Sequence, residues 1–108
     1  MKKIKLLVID KSKEFSMLVK DYISVIEEVD FCGAAYDGIT ALSMIRKIKP
    51  DVIILDNLIP YLDGIGVLRQ LKKHDSDIMP KVVAITEAPS PRLCNRIKPS
   101  WCRLYYIP

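Results

Sequence analysis

The sequence lacks the long apolar stretch that a membrane-spanning helix needs. Its unbroken apolar runs reach four residues, as in Val52–Leu55, whereas a bilayer requires about 20. The basic amino terminus precedes only a short apolar stretch that ends at Asp10, which does not resemble a secretory signal. The three cysteines, Cys32, Cys94 and Cys102, lack metal-binding spacing and are expected to be reduced thiols. We therefore expect a cytoplasmic protein with no membrane segment.

Acidic residues are absent from the last twenty positions. Residues 1–88 carry 13 Lys/Arg and 13 Asp/Glu, whereas residues 89–108 carry four basic residues, no acid and four of the seven prolines. The net charge of +4 therefore belongs wholly to the carboxy-terminal stretch. We predict a core over 1–88 and a divergent, basic, Pro-rich tail over 89–108. So few cations in a proline-broken stretch are typical of a solvated tail and do not predict nucleic-acid binding.

Apolar residues make up 50% of the 108 residues, which excludes a disordered chain and fits one domain. Short apolar runs predict four strands, and three of them end at a hydroxyl or carboxyl residue. These strands are Ile4–Ile9 before Asp10, the weaker Phe31–Ala35, Asp51–Leu55 before Asp56, and Lys81–Ile85 before Thr86.

Apolar residues at helical spacing predict three helices between these strands. The first is capped by Ser12, with an apolar face of Phe15, Leu18, Val19, Tyr22, Ile23 and Ile26. The second begins after Asp37 and stops at Pro50, with a face of Ile39, Leu42, Met44, Ile45 and Ile48. The third follows Gly64, with a face of Val67, Leu68 and Leu71.

This alternation predicts a doubly wound α/β fold with a parallel sheet. Right-handed crossovers bring the carboxyl ends of the strands, and hence Asp10, Asp56 and Thr86, to one edge. Two carboxylates there are suited to a hard divalent cation, which would neutralise an incoming phosphoryl group. The same aspartates are also suited to capping the loops that follow, so both interpretations stay open, with the functional one favoured.

Four stretches resemble the receiver domain of response regulators, and this resemblance covers about residues 3–88. They are VIDKS (8–12), AYDGITAL (35–42), PDVIILDNLIPYLDGIGVL (50–68) and VVAIT (82–86). Within the family, the chain is most similar to the receivers of regulators that initiate sporulation. The resemblance implies a flavodoxin-like fold, a phosphoryl group accepted by Asp56, and a sensing hydroxyl on Thr86. It also implies Mg²⁺ bound by Asp10, Asp56 and the Leu58 carbonyl, and an upstream phosphotransfer protein or histidine kinase as partner.

Two positions depart from the family pattern. Lys11 replaces the second acid after the first strand, so we expect weak Mg²⁺ binding. Its ammonium has three open placements: in the metal's position beside Asp56, turned to solvent with less effect on the metal, or solvated without consequence. A fifth strand is expected near 103–107, and Ile107 stands where the family has a lysine that contacts the phosphoryl group.

The tail is open to two interpretations, a frameshifted reading of an ordinary receiver ending and a diverged tail. The family's fifth helix is not recognisable, so the receiver ending is atypical or truncated. An apolar face is then expected beside the first helix, and we predict a homodimer through it. DNA would be contacted only through a domain absent from these 108 residues.

The favoured function is therefore that of a non-enzymatic phosphoacceptor domain in a phosphorelay. One alternative is a pseudo-receiver that binds proteins and is not phosphorylated, which Lys11 and Ile107 favour. The other is a small phosphatase, supported only by the carboxylate pair. Labelling by a small phosphodonor separates the first two, and turnover beyond one equivalent identifies the third.

Overall fold

In the part of the chain that the structure describes, four β-strands alternate with three α-helices, and a fifth strand follows. The computed structural model describes residues 2–56, 58–86 and 102–106, and for 85–86 and 102–106 it describes the backbone. The elements are β1 (Ile4–Ile9), α1 (Lys13–Ile23), β2 (Val29–Ala35), α2 (Gly38–Ile48), β3 (Val52–Asp56), α3 (Gly64–His74), β4 (Lys81–Thr86) and β5 (Cys102–Tyr106). A short 3-10 turn, Ser76–Ile78, precedes β4.

The strands form one parallel sheet in the order β2-β1-β3-β4-β5. Strands β1 and β3 lie inside this sheet and are strongly apolar, as is typical of interior parallel strands. Residues 6–9 of β1 are buried, whereas Val52 and Ile54 of β3 are half-buried. On one face, Leu7, Ile53 and Val82 join a core with residues of α2 and α3. On the other face, α1 packs against β1 and β2. The expected doubly wound, flavodoxin-like α/β fold is confirmed.

Strand β2 is longer than expected and contains a bulge. Its pairing with β1 passes from Leu6–Phe31 to Leu7–Gly33, so Cys32 is left without a partner in the ladder. Gly33 has a φ of 152°, a conformation that an L-residue rarely adopts. An added Cβ would also lie 2.8 Å from Cε of Met44 in α2. The glycine that weakened the strand signal therefore belongs to a bulge that brings the edge strand close to α2.

Helices α1 and α2 begin directly after their predicted caps, and α3 begins at Gly64 after the cap Asp63, which was not predicted. Ser12 accepts a hydrogen bond from the Phe15 N–H (3.1 Å), and Asp37 accepts one from the Thr40 N–H (2.7 Å). The Gly66 N–H donates to Asp63 over 2.7 Å at the start of α3. These bonds satisfy backbone donors that have no partner inside the helix.

The predicted apolar faces are only partly correct. Leu42 and Ile45 of α2 are buried, as is the whole predicted face of α3. Leu18 and Tyr22 of α1 are 67% and 77% exposed, in agreement with the exposed apolar face expected beside the first helix. Ile39, in the first turn of α2, is 58% exposed. Ile26 lies beyond the end of α1.

Among the residues with described structure, no helix is both long and apolar enough to cross a membrane. The expected fifth strand is present as Cys102–Tyr106, parallel to β4. Ile107 and residues 87–101 of the tail lie outside the described residues.

Candidate functional site

Asp10 and Asp56 lie together because their strands are neighbours in the sheet. Ile9 pairs with Leu55 in the β1–β3 ladder, so the residue that follows each of them reaches the carboxyl edge at the same level. Asp10 directly follows β1, and Asp56 is the last residue of β3. The edge therefore carries two acidic groups on adjacent strands.

Asp10 is the more enclosed of the two carboxylates, with 9% of its surface exposed. Its N–H donates to the Ala35 carbonyl at the end of β2 (3.0 Å), and its Oδ1 accepts from the Ser12 N–H (2.8 Å). Burial raises the pKa of Asp10, because a desolvated carboxylate is less stable than its acid form. The Ser12 hydrogen bond opposes this rise in pKa, the charge of Asp56 adds to it, and the charge of Lys11 opposes it.

Asp56 is half-buried and is held by the loop that follows it. Its Oδ1 accepts a hydrogen bond from the Leu58 N–H over 2.9 Å, which fixes one carboxylate oxygen against the loop after β3. The Leu58 side chain is 67% exposed. Leu58, expected to contribute a metal-binding carbonyl, thus lies beside Asp56 and contacts it through its N–H.

Lys11 is exposed and stands between Asp10 and the helix cap Ser12. Within residues 2–56 and 58–86, one ion pair is formed, between Nε of Arg46 and Oδ2 of Asp75, which are 2.9 Å apart. The Lys11 ammonium therefore does not contact Asp56. Its placement in the metal's position beside Asp56 would have required that contact. Its charge reaches Asp10 only across a longer distance.

The donor set does not fit a tight divalent-cation site. No group of three or more His, Cys, Asp or Glu side chains positioned for a metal occurs in the described part of the chain. The third acid that would complete the set is replaced by the positive charge of Lys11. Asp10 and Asp56 each also have one oxygen engaged by a backbone N–H. Mg²⁺ keeps several waters and binds through one or two carboxylates, so Asp10 and Asp56 beside the positive charge of Lys11 fit at most a weak site.

Thr86 ends β4 at the same edge of the sheet. Asp56 pairs with Ile85 in the β3–β4 ladder, so the Thr86 backbone lies one position beyond this pair. The side chain of Thr86, with its expected sensing hydroxyl, lies outside the described residues, as does Ile107. The structure therefore brings together Asp10, Asp56 and the Thr86 backbone.

A contact between the β3–α3 loop and α2 was missed from the sequence. The Gly38 N–H donates to the Pro60 carbonyl over 3.1 Å, and the Leu62 N–H donates to the same carbonyl over 2.8 Å. A Cβ on Gly38 would collide with the Leu62 carbonyl oxygen. Tyr61, between them, has a φ of 69°. The sequence signal is weak, since a glycine can follow a helix cap whether or not a loop packs against it.

One side of the carboxyl edge carries an aromatic contact. The Lys13 ammonium lies 5.5 Å from the centre of the Tyr36 ring, which joins the first turn of α1 to the loop after β2. This contact holds Lys13, whereas Lys11 two residues earlier has no described partner.

Comparisons with known proteins agree with this architecture. The family model "Response regulator receiver domain" matches residues 6–97. A protein-glutamate methylesterase/protein-glutamine glutaminase of Pyrococcus horikoshii is 41% identical over 73 residues, which cover 68% of this chain and 20% of that protein. The chain thus spans about a fifth of this curated relative.

Two solved structures share the fold over most of the chain. The response regulator domain of Thermotoga maritima CheB has a TM-score of 0.82 at 26% identity, covering 98% of this chain and 78% of that one. The receiver domain of the Francisella response regulator 1452 has a TM-score of 0.76 at 28% identity, covering 94% and 84%. The family model matches most of the chain, which has the same fold and carries two carboxylates at the carboxyl edge of its sheet. The chain therefore belongs to the response regulator receiver domain family.

Proposed function

We propose that this receiver domain accepts a phosphoryl group on Asp56 and passes the signal to partner proteins. The observation that carries the proposal is the position of Asp56 at the end of β3, beside Asp10 on β1. Asp56 is half-buried, so part of the residue is exposed to solvent, as a phosphoacceptor requires. The Leu58 N–H holds one carboxylate oxygen, which fixes the group for attack by the other.

The reaction transfers a phosphoryl group from an oxygen or nitrogen atom of the donor to the Asp56 carboxylate. A carboxylate oxygen attacks the phosphorus, the bond from phosphorus to the donor breaks, and its electron pair leaves with the donor. The product is an acyl phosphate, which adds negative charge at the carboxyl edge. We propose that the Thr86 hydroxyl detects this group and shifts the population of surface conformations.

The test is intact-mass measurement after incubation with acetyl phosphate. We expect one phosphoryl group per wild-type chain and none on Asp56→Asn. Asp77→Asn is the matched control, because Asp77 is exposed in the 3-10 turn before β4. Labelling of Asp56→Asn at the wild-type level contradicts the assignment, and an unlabelled wild-type chain instead supports a pseudo-receiver.

Magnesium binding to this site is proposed to be weak. Asp10, Asp56 and the Leu58 carbonyl are the oxygen donors that would hold the ion. Two unit charges ~4 Å apart interact with an energy of roughly 4 kcal/mol at an effective dielectric of ~20. Lys11 replaces an attraction for Mg²⁺ with a repulsion. Because Lys11 is exposed, solvent screening reduces the resulting loss of Mg²⁺-binding free energy. Since ~1.4 kcal/mol is a tenfold change, even a screened loss weakens binding markedly.

Among receivers, we propose that the chain acts like that of stage-zero sporulation protein A. The support is the block at residues 50–68, which matches in residue type and spacing. Its phosphodonor would be a cytoplasmic phosphotransfer protein or histidine kinase, and any effect on transcription would act through a DNA-binding domain outside these residues. Phosphotransfer from a sporulation relay protein faster than from a chemotaxis kinase would support this placement, and the reverse order would contradict it.

We also propose that the domain self-associates through α1. Leu18 and Tyr22 lie one turn apart and are largely exposed, and Met17 beside them is 64% exposed. Apolar surface of this kind is stabilised by burial at about 25 cal/mol per Å². A two-fold contact would place the α1 helices of both copies against each other.

A further inference from the structure

We propose that Lys11, and not a divalent cation, supplies the positive charge that receives the phosphoryl group at Asp56. Phosphorylation of this chain then proceeds without a metal ion. The inference rests on the proposed function of Asp56 and deepens it. It starts from the donor set described above, which does not fit a tight divalent-cation site.

The backbone at Lys11 is fixed next to the site. Asp10 Oδ1 accepts the Ser12 N–H over 2.8 Å, which closes a turn around Lys11. Ser12 in turn accepts the Phe15 N–H through its side chain (3.1 Å) and the Ser16 N–H through its carbonyl (3.2 Å), which anchors it to α1. The base of the Lys11 side chain is therefore held at the carboxyl edge.

The ammonium of Lys11 is free to move from that fixed base. Lys11 is exposed, and within residues 2–56 and 58–86 it has no ion-pair, hydrogen-bond or ring partner. Lys13 differs, because its ammonium lies over the Tyr36 ring. A lysine carries three donors on a flexible stem, which suits it to follow an arriving anion.

The ammonium of Lys11 also offsets part of the negative charge of the two carboxylates. Asp10, Asp56 and Lys11 together carry a net charge of −1 when all three are ionised, so one ammonium leaves a small excess of negative charge. The Lys11 charge is already felt at Asp10, although burial affects that carboxyl more. An incoming phosphoryl group adds negative charge beside Asp56, and charge-assisted hydrogen bonds from an ammonium stabilise it.

The step balances without a metal and without a proton transfer from Lys11. With acetyl phosphate, an Asp56 oxygen forms a bond to phosphorus, the phosphorus–oxygen bond to acetate breaks, and acetate leaves with the electron pair. Lys11 stays protonated throughout and pairs with the phosphoryl oxygens. It therefore stabilises the developing charge and the product.

The experiment measures labelling by acetyl phosphate, using intact mass, in EDTA and in excess Mg²⁺. We expect wild-type rates that agree within about twofold between the two conditions, since salt screening alone changes little at a contact. Lys11→Gln should lose about tenfold of the rate in EDTA, and Lys13→Gln, the matched loss of one exposed charge, should lose less than about twofold. Lys11→Asp should restore a site whose labelling is at least about tenfold faster with Mg²⁺.

A second readout does not depend on labelling. Backbone amide signals of residues 10–12 and 58 should shift at a much lower Mg²⁺ concentration in Lys11→Asp than in wild type. Far-UV circular dichroism checks that each variant is folded. Wild-type labelling that needs Mg²⁺, or Lys11→Gln labelled like wild type in EDTA, overturns the inference and leaves Asp56 as acceptor. A wild-type chain labelled under neither condition overturns both proposals.

Discussion

Replacing Gly38 with alanine tests the contact that holds the β3–α3 loop against α2. Gly38 is the first residue of α2, and its N–H donates to the Pro60 carbonyl over 3.1 Å. An added Cβ would collide with the Leu62 carbonyl oxygen and lie 2.6 Å from its carbonyl carbon. These are backbone atoms, so the loop itself must move, and Asp56 lies at its start.

The cost follows from two losses and one gain. Forcing a methyl group into this packed contact costs about 1–3 kcal/mol, and weakening the hydrogen bond to Pro60 costs about 0.5–1.5 kcal/mol. Alanine regains up to about 1 kcal/mol through its helix propensity, and less at the first helical position. We therefore expect Gly38→Ala to lower the free energy of unfolding by about 2 kcal/mol.

Urea denaturation followed by circular dichroism measures this change, and a thermal scan checks it. A domain of this size loses about 4–8 °C in Tm for each kcal/mol, so we expect a loss of about 10 °C. Ile39→Ala is the control, because Ile39 is exposed in the same turn and should change stability by less than about 0.5 kcal/mol. Labelling of Asp56 by acetyl phosphate should also slow in Gly38→Ala. Equal stability of Gly38→Ala and wild type would refute the steric argument.

Three further predictions concern charge and surface. Asp10→Asn should be more stable than wild type at pH 7. Burial raises the pKa of Asp10 above its ordinary 3.8, so the stability contributed by the Asp10 carboxyl is present below pH 3.8 and is lost as the pH rises through the folded pKa. A gain in stability that persists at pH 3 would contradict this. Asp37→Asn should be less stable than wild type at pH 7. Hydrogen bonds from Thr40 lower the pKa of Asp37, so the stability contributed by the Asp37 carboxylate is present above pH 3.8 and is lost as the pH falls through the folded pKa. Urea denaturation midpoints measured between pH 2 and 7 follow this change. Leu18→Ser combined with Tyr22→Ser should convert a dimer to a monomer in sedimentation velocity at micromolar concentration, whereas a monomeric wild-type chain would exclude the α1 interface.

The sequence determined the order of the elements and the positions of the site residues along the chain. β1 has the predicted bounds, and β3 and β4 agree to within one residue, because an interior strand of a parallel sheet needs a continuous apolar run that a polar residue ends. The caps Ser12 and Asp37 were predictable, since a helix start leaves backbone donors that a short polar side chain satisfies. These signals are local, so neighbouring residues carry all the information they need.

Tertiary structure decided which surfaces meet. Helical spacing marks Leu18 and Tyr22 as an apolar face, but whether that face is buried depends on what packs against α1, which no local pattern records. The bulge at Cys32 depends on the register of β2 against β1 and on its approach to Met44.

The site has the same division between local and tertiary information. Asp10 and Asp56 are separated by 46 positions, and their proximity results from the alignment of Ile9 with Leu55 across two strands. The contact of Gly38 with Pro60 likewise joins segments 22 positions apart, and a carbonyl that approaches a glycine leaves no mark on the sequence around it. The free ammonium of Lys11 was one of several placements consistent with the sequence. Only the packed structure shows that this side chain has no described partner, because a partner is defined by what lies within reach in space.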